Sequence, residues 1–345
     1  MATRKLVLLV VTIIACSGCA TRVPVAEVRL VGKAFQDLNA ASAPLLDDLA
    51  VAERAQGKTA AGIRAKSNSG AAATTLVDDD IHSVVSSAVT PGQADAEGAS
   101  ENRCAAVGLL TVSSVSVQNG FCTSDSYYYS ELADPPATAT FRRSLAAVDS
   151  YTNVLLILAE GRNIEGAQAE IQSLAGNVGG VIEIAGAAGA SAAMQGVVGA
   201  LKPLLELAAK QSNAKELARN VKQVSPKVVV VIGQLRGAAP ELFNTLTERA
   251  LANLQRAKLQ RAKLKPDSGA EAVRIEAVRI EAYRTAVSNY VVLLDQYERL
   301  LDRLVESYDA TGKVVTLSGL VQQSAQLSAQ ADAWRRTYSA LRMGI

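Results

Sequence analysis

The feature that most constrains the fold of this chain is a long heptad pattern in its C-terminal third. Apolar side chains recur there at alternating spacings of four and three, for about five repeats without a break. A 3.5-residue period is typical of long helices that supercoil around a partner. Residues 320–341 repeat the same spacing after Gly312, so the sequence predicts two antiparallel helices joined by a short turn. The positions of the first pattern are Val273, Ala277, Ile280, Tyr283, Val287, Tyr290, Leu294, Tyr297, Leu301, Leu304 and Tyr308.

Three tyrosines, Tyr283, Tyr290 and Tyr297, lie one heptad apart in this pattern. A ladder of tyrosines could stack against a ligand. The heptad spacing, however, already accounts for these residues as core side chains, with buried rings and with hydroxyl groups that reach the edge of the core. We therefore expect them to belong to the helical core.

Two duplicated pentapeptides surround a predicted turn. The segment 255–259 (QRAKL) is repeated at 260–264, and 271–275 (EAVRI) is repeated at 276–280. Ser268 and Glu271 have the spacing of a capping box that starts a new helix. Five inserted residues rotate a helix by about 500°, which disrupts any packed face beyond them. The sequence therefore predicts a projecting helical hairpin, residues 241–308, with its tip at 265–269; chance duplication in a solvated helix is the alternative.

The predicted tip of this hairpin is basic. Its cations could contact an anionic partner, such as lipid head groups, lipopolysaccharide or a cell-wall polymer. Cations in the last turns of a helix also complement its dipole and keep the surface solvated, which is the simpler account. Both interpretations stay open at the level of sequence. The five cations are Arg256, Lys258, Arg261, Lys263 and Lys265.

Composition limits the classes of fold and function. The chain has 345 residues, of which 49% are apolar and only 4% aromatic, so helices packed through small side chains are expected. A formal net charge of +2 is too small to indicate nucleic-acid binding. A single histidine argues against histidine-based metal sites or catalytic triads.

The region before the heptad patterns is less regular. Apolar spacing predicts a first helix over residues 25–56, followed by loop with short helical pieces over 57–100. Residues 109–118 favour β-structure, and Asn119-Gly120 is a strong hairpin-turn dipeptide. From residue 141 onward the sequence predicts helix, although the β-branched residues 228–232 could instead form a short buried strand. The apolar positions of the first helix are Val28, Val31, Phe35, Leu38, Leu45, Leu46 and Leu49.

The first nineteen residues have the features of an export signal. Two cations precede the unbroken apolar run 6–15, and Ser17, Gly18 and Cys19 follow it. This arrangement resembles the signal of bacterial lipoproteins. The resemblance implies removal of residues 1–18, acylation of Cys19 and, because Ala20 follows, an outer-membrane location facing the periplasm. An ordinary cleaved signal without a lipid is the alternative.

Cysteine parity favours Cys19 over Cys16 as the acylated residue. Cleavage before Cys19 removes Cys16 and leaves Cys104 and Cys122 as an even pair, whereas cleavage before Cys16 leaves an odd thiol in an oxidising compartment. We therefore predict a Cys104–Cys122 disulfide. It would close a loop of about twenty residues and contribute roughly 3 kcal/mol in the chain-entropy model.

The segment 176–201, rich in glycine and alanine, is ambiguous. It is long enough to cross a bilayer, and Gly176 and Gly180 have the spacing that permits close helix contact in lipid. Alanine and glycine contribute little to insertion, however, and Glu183 would be unfavourable near the membrane centre. A tightly packed helix pair in the core is therefore the preferred interpretation.

Catalytic motifs are scarce. Ser212 and Lys215 have the Ser-x-x-Lys spacing of penicillin-binding acyl enzymes, but the companion Lys-Thr-Gly motif is absent. There is no phosphate-binding glycine loop before a lysine and no HExxH motif. We therefore expect no enzymatic activity, no cofactor and no metal ligands.

Together these observations predict a mainly α protein: an elongated helical bundle with long antiparallel coiled-coil-like helices and a possible small β-hairpin in the N-terminal third. The predicted domains are the signal peptide 1–18, a segment 19–136 with the lipid anchor, the first helix and an irregular disulfide-containing part, and a helical bundle 137–345 with the projecting hairpin 241–308. The expected function is binding or scaffolding in the cell envelope, through the membrane lipid and an anionic envelope polymer or another envelope protein. A membrane-inserting protein that uses 176–201 and, more remotely, an envelope hydrolase are the alternatives.

Overall fold

A computed structural model describes residues 25–73, 104–106, 110–112, 115–117, 120–160, 164–185, 214–263, 270–309 and 315–344. Within these residues the fold is mainly α, which confirms the predicted class. The helices are α1 Val25–Ala73, α2 Thr123–Tyr129, α3 Pro136–Glu160, α4 Ile164–Ala185, α5 Ala214–Gly237, α6 Ala239–Lys263, α7 Ala270–Asp309 and α8 Val315–Gly344. The strands are β1 Cys104–Ala106, β2 Leu110–Val112, β3 Val115–Val117 and β4 Gly120–Cys122.

The chain divides into two compact units. The larger unit comprises Met1–Asp48 and Ala139–Ile345, and the smaller one comprises Leu49–Thr138. Helix α1 contributes its first half to the larger unit and its second half to the smaller one.

Helix α7 is the central element of the larger unit, where it packs against α5, α6 and α8. The heptad positions from Val287 to Leu304 are all buried, as predicted. A second row beside them is buried as well, so the covered face is wider than a two-stranded coiled coil requires. This width follows from the number of helices that α7 contacts. The second row consists of Ala282, Ala286, Leu293 and Leu300.

The second heptad pattern is also confirmed as a core face. Trp334 packs near Tyr290 with ring centroids 6.3 Å apart, which joins α8 to α7. A Cβ atom at Gly319 would lie 3.3 Å from the Arg303 side chain. Residue numbers on α7 therefore rise as those on α8 fall, so the two helices run antiparallel. The buried positions of α8 are Leu320, Ser324, Leu327, Ala331, Trp334 and Tyr338.

Helix α1 is longer than the sequence indicated. All seven predicted apolar positions are buried, but the helix runs to Ala73 instead of ending near Gln56. The break was expected at Gly57, which is in fact buried and helical. A Cβ atom there would collide with the ring of Tyr128, so glycine serves close packing at this position and not helix termination.

Two short antiparallel pairings join the strands. Strand β2 pairs with β3, so the chain reverses between Val112 and Val115. Strand β1 pairs with β4, and Gly120 begins β4. The sequence placed a hairpin turn at Asn119-Gly120, after residues 109–118; in the structure residues within 109–118 pair with one another as β2 and β3. The tyrosines that follow, 127–129, lie in α2.

The β-branched residues 228–232 are helical. They lie inside α5, where Val228, Val231 and Ile232 are buried at spacings of three and four. These spacings place them on one helix face, and the alternative of a buried strand is excluded.

Candidate functional site

Helices α6 and α7 form the two arms of an antiparallel hairpin. Near its base, the Arg284 guanidinium lies 5.9 Å from the centre of the Phe243 ring. Farther along, Asn253 Nδ2 donates a hydrogen bond to Glu276 Oε1 at 3.0 Å. These pairs bring the end of α6 beside the beginning of α7. The connecting residues 264–269, which include Lys265 and the whole predicted tip 265–269, lie outside the described residues.

Burial decreases along the arms toward their connection. Ala250 and Ala282 are buried, and nearer the connection only Ala257 is buried among the described residues of the two arms. In contrast, Leu259 is 61%, Ile275 45% and Val278 53% exposed. The exposed aliphatic side chains indicate that this end of the arms has fewer neighbours than the base.

The predicted cations lie at this exposed end. Arg256 and Lys258 are exposed on α6, and Arg261 and Lys263 follow in the last turns of the same helix. The structure therefore places four of the five predicted residues in one helix segment.

The two arms differ in how their cations are neutralised. On α7, Arg274 donates two hydrogen bonds to Glu271 at 2.9 and 2.6 Å, and Arg279 contacts Glu276 at 3.1 Å. The bond from Arg274 holds the pKa of Glu271 below its usual value. On α6, Arg256 donates to the neutral amide oxygen of Asn253. Within the described residues, neither Arg256 nor Lys258 forms an ion pair, so the positive charge of this part of α6 is not compensated there.

The cysteines predicted to be modified are only partly described. Cys19 lies outside the described residues. Cys104 and Cys122 face each other as backbone partners in the β1–β4 pairing. Directly opposed residues of antiparallel strands have Cα atoms about 4.5–5.5 Å apart.

The glycine-rich segment 176–201 is described only through Ala185, where it forms the end of α4. None of the helices that the structure describes combines the length and the apolar character needed to cross a membrane. In the same part of the chain, no cluster of His, Cys, Asp or Glu could hold a metal ion.

The interior of the larger unit contains tyrosines whose hydroxyl groups are buried. Tyr151 and Ser225 share a hydrogen bond of 2.6 Å, whereas Tyr290 and Tyr297 have no hydrogen-bond partner among the described residues. Tyr290 and Tyr297 are fully buried, which confirms them as core residues, but their hydroxyls do not reach the edge of the core as expected. Burial raises the pKa of both phenols, so they stay neutral and do not act as acids or bases near neutral pH.

Two polar contacts were not found by sequence reasoning. Glu53 is only 7% exposed, and its carboxylate accepts hydrogen bonds from the Ala137 and Thr138 amides at 2.8 and 2.9 Å. It therefore caps the N-terminus of α3 from a distant part of the chain.

Asp48 accepts a hydrogen bond of 2.6 Å from Tyr338 and pairs with Arg342 at 2.9 Å. Neither contact has a local sequence signal, because the partners are far apart in the chain.

Comparisons with known proteins return no relative. No family model, no curated protein and no solved structure matches this chain.

Proposed function

We propose that this chain is a lipid-anchored protein of the bacterial cell envelope that acts by binding or scaffolding and not by catalysis. The anchor rests on the leader that ends at Cys19 and on its resemblance to lipoprotein signals. The binding role rests on one observation: among the described residues, no acid neutralises the exposed cations Arg256 and Lys258 of α6. Such a surface is suited to an anionic partner.

The proposal includes the arrangement of the whole chain before and after processing. A signal peptide, 1–18, precedes an anchor segment, 19–136, and a bundle, 137–345. In the bundle, long coiled-coil-like helices pack antiparallel and the hairpin 241–308 projects. The central position of α7 and the pairing of α6 with α7 support this arrangement.

A disulfide between Cys104 and Cys122, within a small β-hairpin, is part of the same proposal. The backbone partnership of the two residues supports it, because disulfides span Cα distances of about 4.4–6.8 Å. Thiol labelling under denaturing, non-reducing conditions is expected to find no free cysteine in the mature protein. Labelling of both residues would contradict the bond.

Intact-mass analysis of the membrane fraction tests the anchor. The wild-type N-terminus is expected to be a triacylated Cys19, and outer-membrane fractions are expected to contain the protein. Cys19→Ala should abolish the lipid, while the matched variant Cys16→Ala should keep it. A lipid on Cys16, or an unmodified product released into the periplasm, would contradict the proposal.

A further inference from the structure

The start of α1 and the basic end of the hairpin lie at opposite ends of the larger unit. Phe35 packs on Tyr297 with ring centroids 4.8 Å apart. Asp48 accepts a hydrogen bond from Tyr338, which lies one turn beyond the α8 residue that packs near Tyr290. Because α8 runs antiparallel to α7, Tyr338 lies level with α7 residues that precede Tyr290. Residue numbers on α7 therefore fall as those on α1 rise, so the two helices are antiparallel. The beginning of α1 is therefore level with the end of α7, and the hairpin connection is at the other end.

The separation between these two ends can be derived from helix geometry. Ala270 and Tyr308 are 38 residue steps apart in one uninterrupted helix. At ~1.5 Å per step, this length of helix spans about 57 Å. Cys19 precedes Val25 by only six residues. Even a fully extended segment of that length reaches only about 20 Å, so a lipid on Cys19 cannot lie at the basic end.

The uncompensated charge of the hairpin therefore lies far from the predicted lipid. Arg256 and Lys258 are exposed and form no ion pair within the described residues, and the sequence adds Arg261, Lys263 and Lys265 toward the connection. Guanidinium and ammonium groups bind carboxylates and phosphates by charge-assisted hydrogen bonds. Away from its own membrane, an envelope protein encounters carboxylates in the peptide stems of the cell wall.

We infer that the basic end of the hairpin binds the carboxylate-bearing polymer of the cell wall, at the end of the larger unit opposite the start of α1, where the chain leads to the lipid. This inference rests on the proposed function in one respect, which is that the lipid anchor is at Cys19. One end of the larger unit is held by the membrane, and the opposite end holds the polymer. Scaffolding is then a physical link between two envelope layers.

Co-sedimentation of the detergent-solubilised mature protein with isolated peptidoglycan sacculi tests the inference. Binding is expected to weaken as salt rises, because it is electrostatic. The variant Arg256→Glu/Lys258→Glu is expected to bind about tenfold more weakly. The control Arg299→Glu/Arg336→Glu makes the same change in charge at exposed sites of α7 and α8 and should bind within about twofold of wild type. Far-UV circular dichroism checks that both variants fold.

Vesicles with about 30% anionic phospholipid serve as the competing surface, and wild type is expected to bind sacculi in preference to them. Undiminished binding of the Arg256→Glu/Lys258→Glu variant to sacculi would overturn the inference. Vesicle binding that depends on Arg256 and Lys258 and exceeds binding to sacculi would overturn it in favour of a membrane surface.

A further variant separates this inference from the anchor. Protein with Cys19→Ala is expected to bind sacculi as wild type does, because residue 19 is remote from the basic end. If wild type carries no lipid but its sacculus binding depends on Arg256 and Lys258, the anchor fails and the polymer contact stands. If wild type carries the lipid but does not bind sacculi, the inference of a polymer contact is wrong and the proposed anchor is kept.

Discussion

At the scale of single residues, the buried tyrosines of the larger unit differ in what their hydroxyl groups contact. The Tyr151 hydroxyl shares a hydrogen bond with Ser225 inside the core. The Tyr297 hydroxyl is equally buried but has no partner among the described residues. An unsatisfied buried hydroxyl loses its hydration without a compensating bond, so the two side chains should respond differently to removal of the oxygen.

We predict that Tyr151→Phe lowers the free energy of unfolding by about 1 kcal/mol and leaves the Ser225 hydroxyl without its partner. Tyr297→Phe is expected to leave stability unchanged or to raise it, since only an unpaired group is removed. Urea unfolding measures the free energy of unfolding of both variants. Fluorescence reports the transition through Trp334, the only tryptophan in the sequence. A larger loss for Tyr297→Phe than for Tyr151→Phe would contradict the prediction.

The buried carboxylate of Glu53 gives a second prediction at this scale. Glu53→Ala removes the acceptor for two amides at the start of α3 and for the Thr138 hydroxyl, which donates at 2.9 Å. Because these donors are left unsatisfied, a loss of about 2–3 kcal/mol is expected in thermal or urea unfolding. The matched control is Glu131→Ala, an exposed glutamate of the same unit. Equal effects of the two substitutions would show that the cap contributes nothing.

At the scale of elements, the hairpin of α6 and α7 shows how the duplications fit the fold. The α7 partner moves eight residues toward the connection as the α6 partner moves ten, from Phe243–Arg284 to Asn253–Glu276, so the two arms keep one antiparallel register. Removing five residues from each arm keeps this register and shortens both arms equally. Removing five from one arm makes the arms end about 7.5 Å farther apart in level at the connection.

We therefore predict that joint deletion of residues 260–264 and 276–280 leaves the melting temperature nearly unchanged. The repeat 271–275 then replaces the deleted copy, so that Glu271 takes the place of Glu276 opposite Asn253. Deletion of 260–264 alone is expected to lower the melting temperature more than the joint deletion does, because the connection must then join arms whose lengths no longer match. A comparable loss in the joint deletion would mean that both copies pack into the bundle, and the projecting hairpin would be wrong.

At the scale of the larger unit as a whole, Asp48 joins the first helix to the last through Tyr338 and Arg342. Burial raises the pKa of Asp48 above its ordinary value of 3.8, although the bonds from Tyr338 and Arg342 oppose this shift. The folded protein therefore holds this proton more tightly than the unfolded chain does. Its contribution to stability is complete below the ordinary pKa and is lost as pH rises through the raised pKa.

The variant Asp48→Asn tests whether the contribution of Asp48 to stability decreases as pH rises. Between pH 3 and pH 7, the free energy of unfolding of wild type minus that of the variant is expected to decrease as pH rises, since the substituted amide does not titrate. Chemical denaturation at a series of pH values measures the difference, with Asp302→Asn on the exposed face of α7 as control. A difference that increases with pH would show that the bonds from Tyr338 and Arg342 outweigh burial.

The sequence by itself determined which residues of each helix face the core. Apolar spacing correctly identified the large buried side chains of α1, most of those of α8 and the row from Val287 to Leu304 of α7, because helix geometry fixes which side chains share a face. The same spacing was wrong at the start of α7, where Ala277 is exposed and Tyr283 is only half-buried. It also identified the exposed cations Arg256 and Lys258, since charged side chains at a solvated helix end follow from composition alone.

Only the tertiary structure decided what those faces meet. It extended α1 past Gly57, where the ring of Tyr128 approaches the backbone, and it covered a second row of α7 with further helices. It brought Asp48 to Tyr338 and Glu53 to Thr138. Local periodicity specifies the direction of a side chain but not its distant partner. That partner depends on the packing of the whole unit, through contacts between residues far apart in the chain.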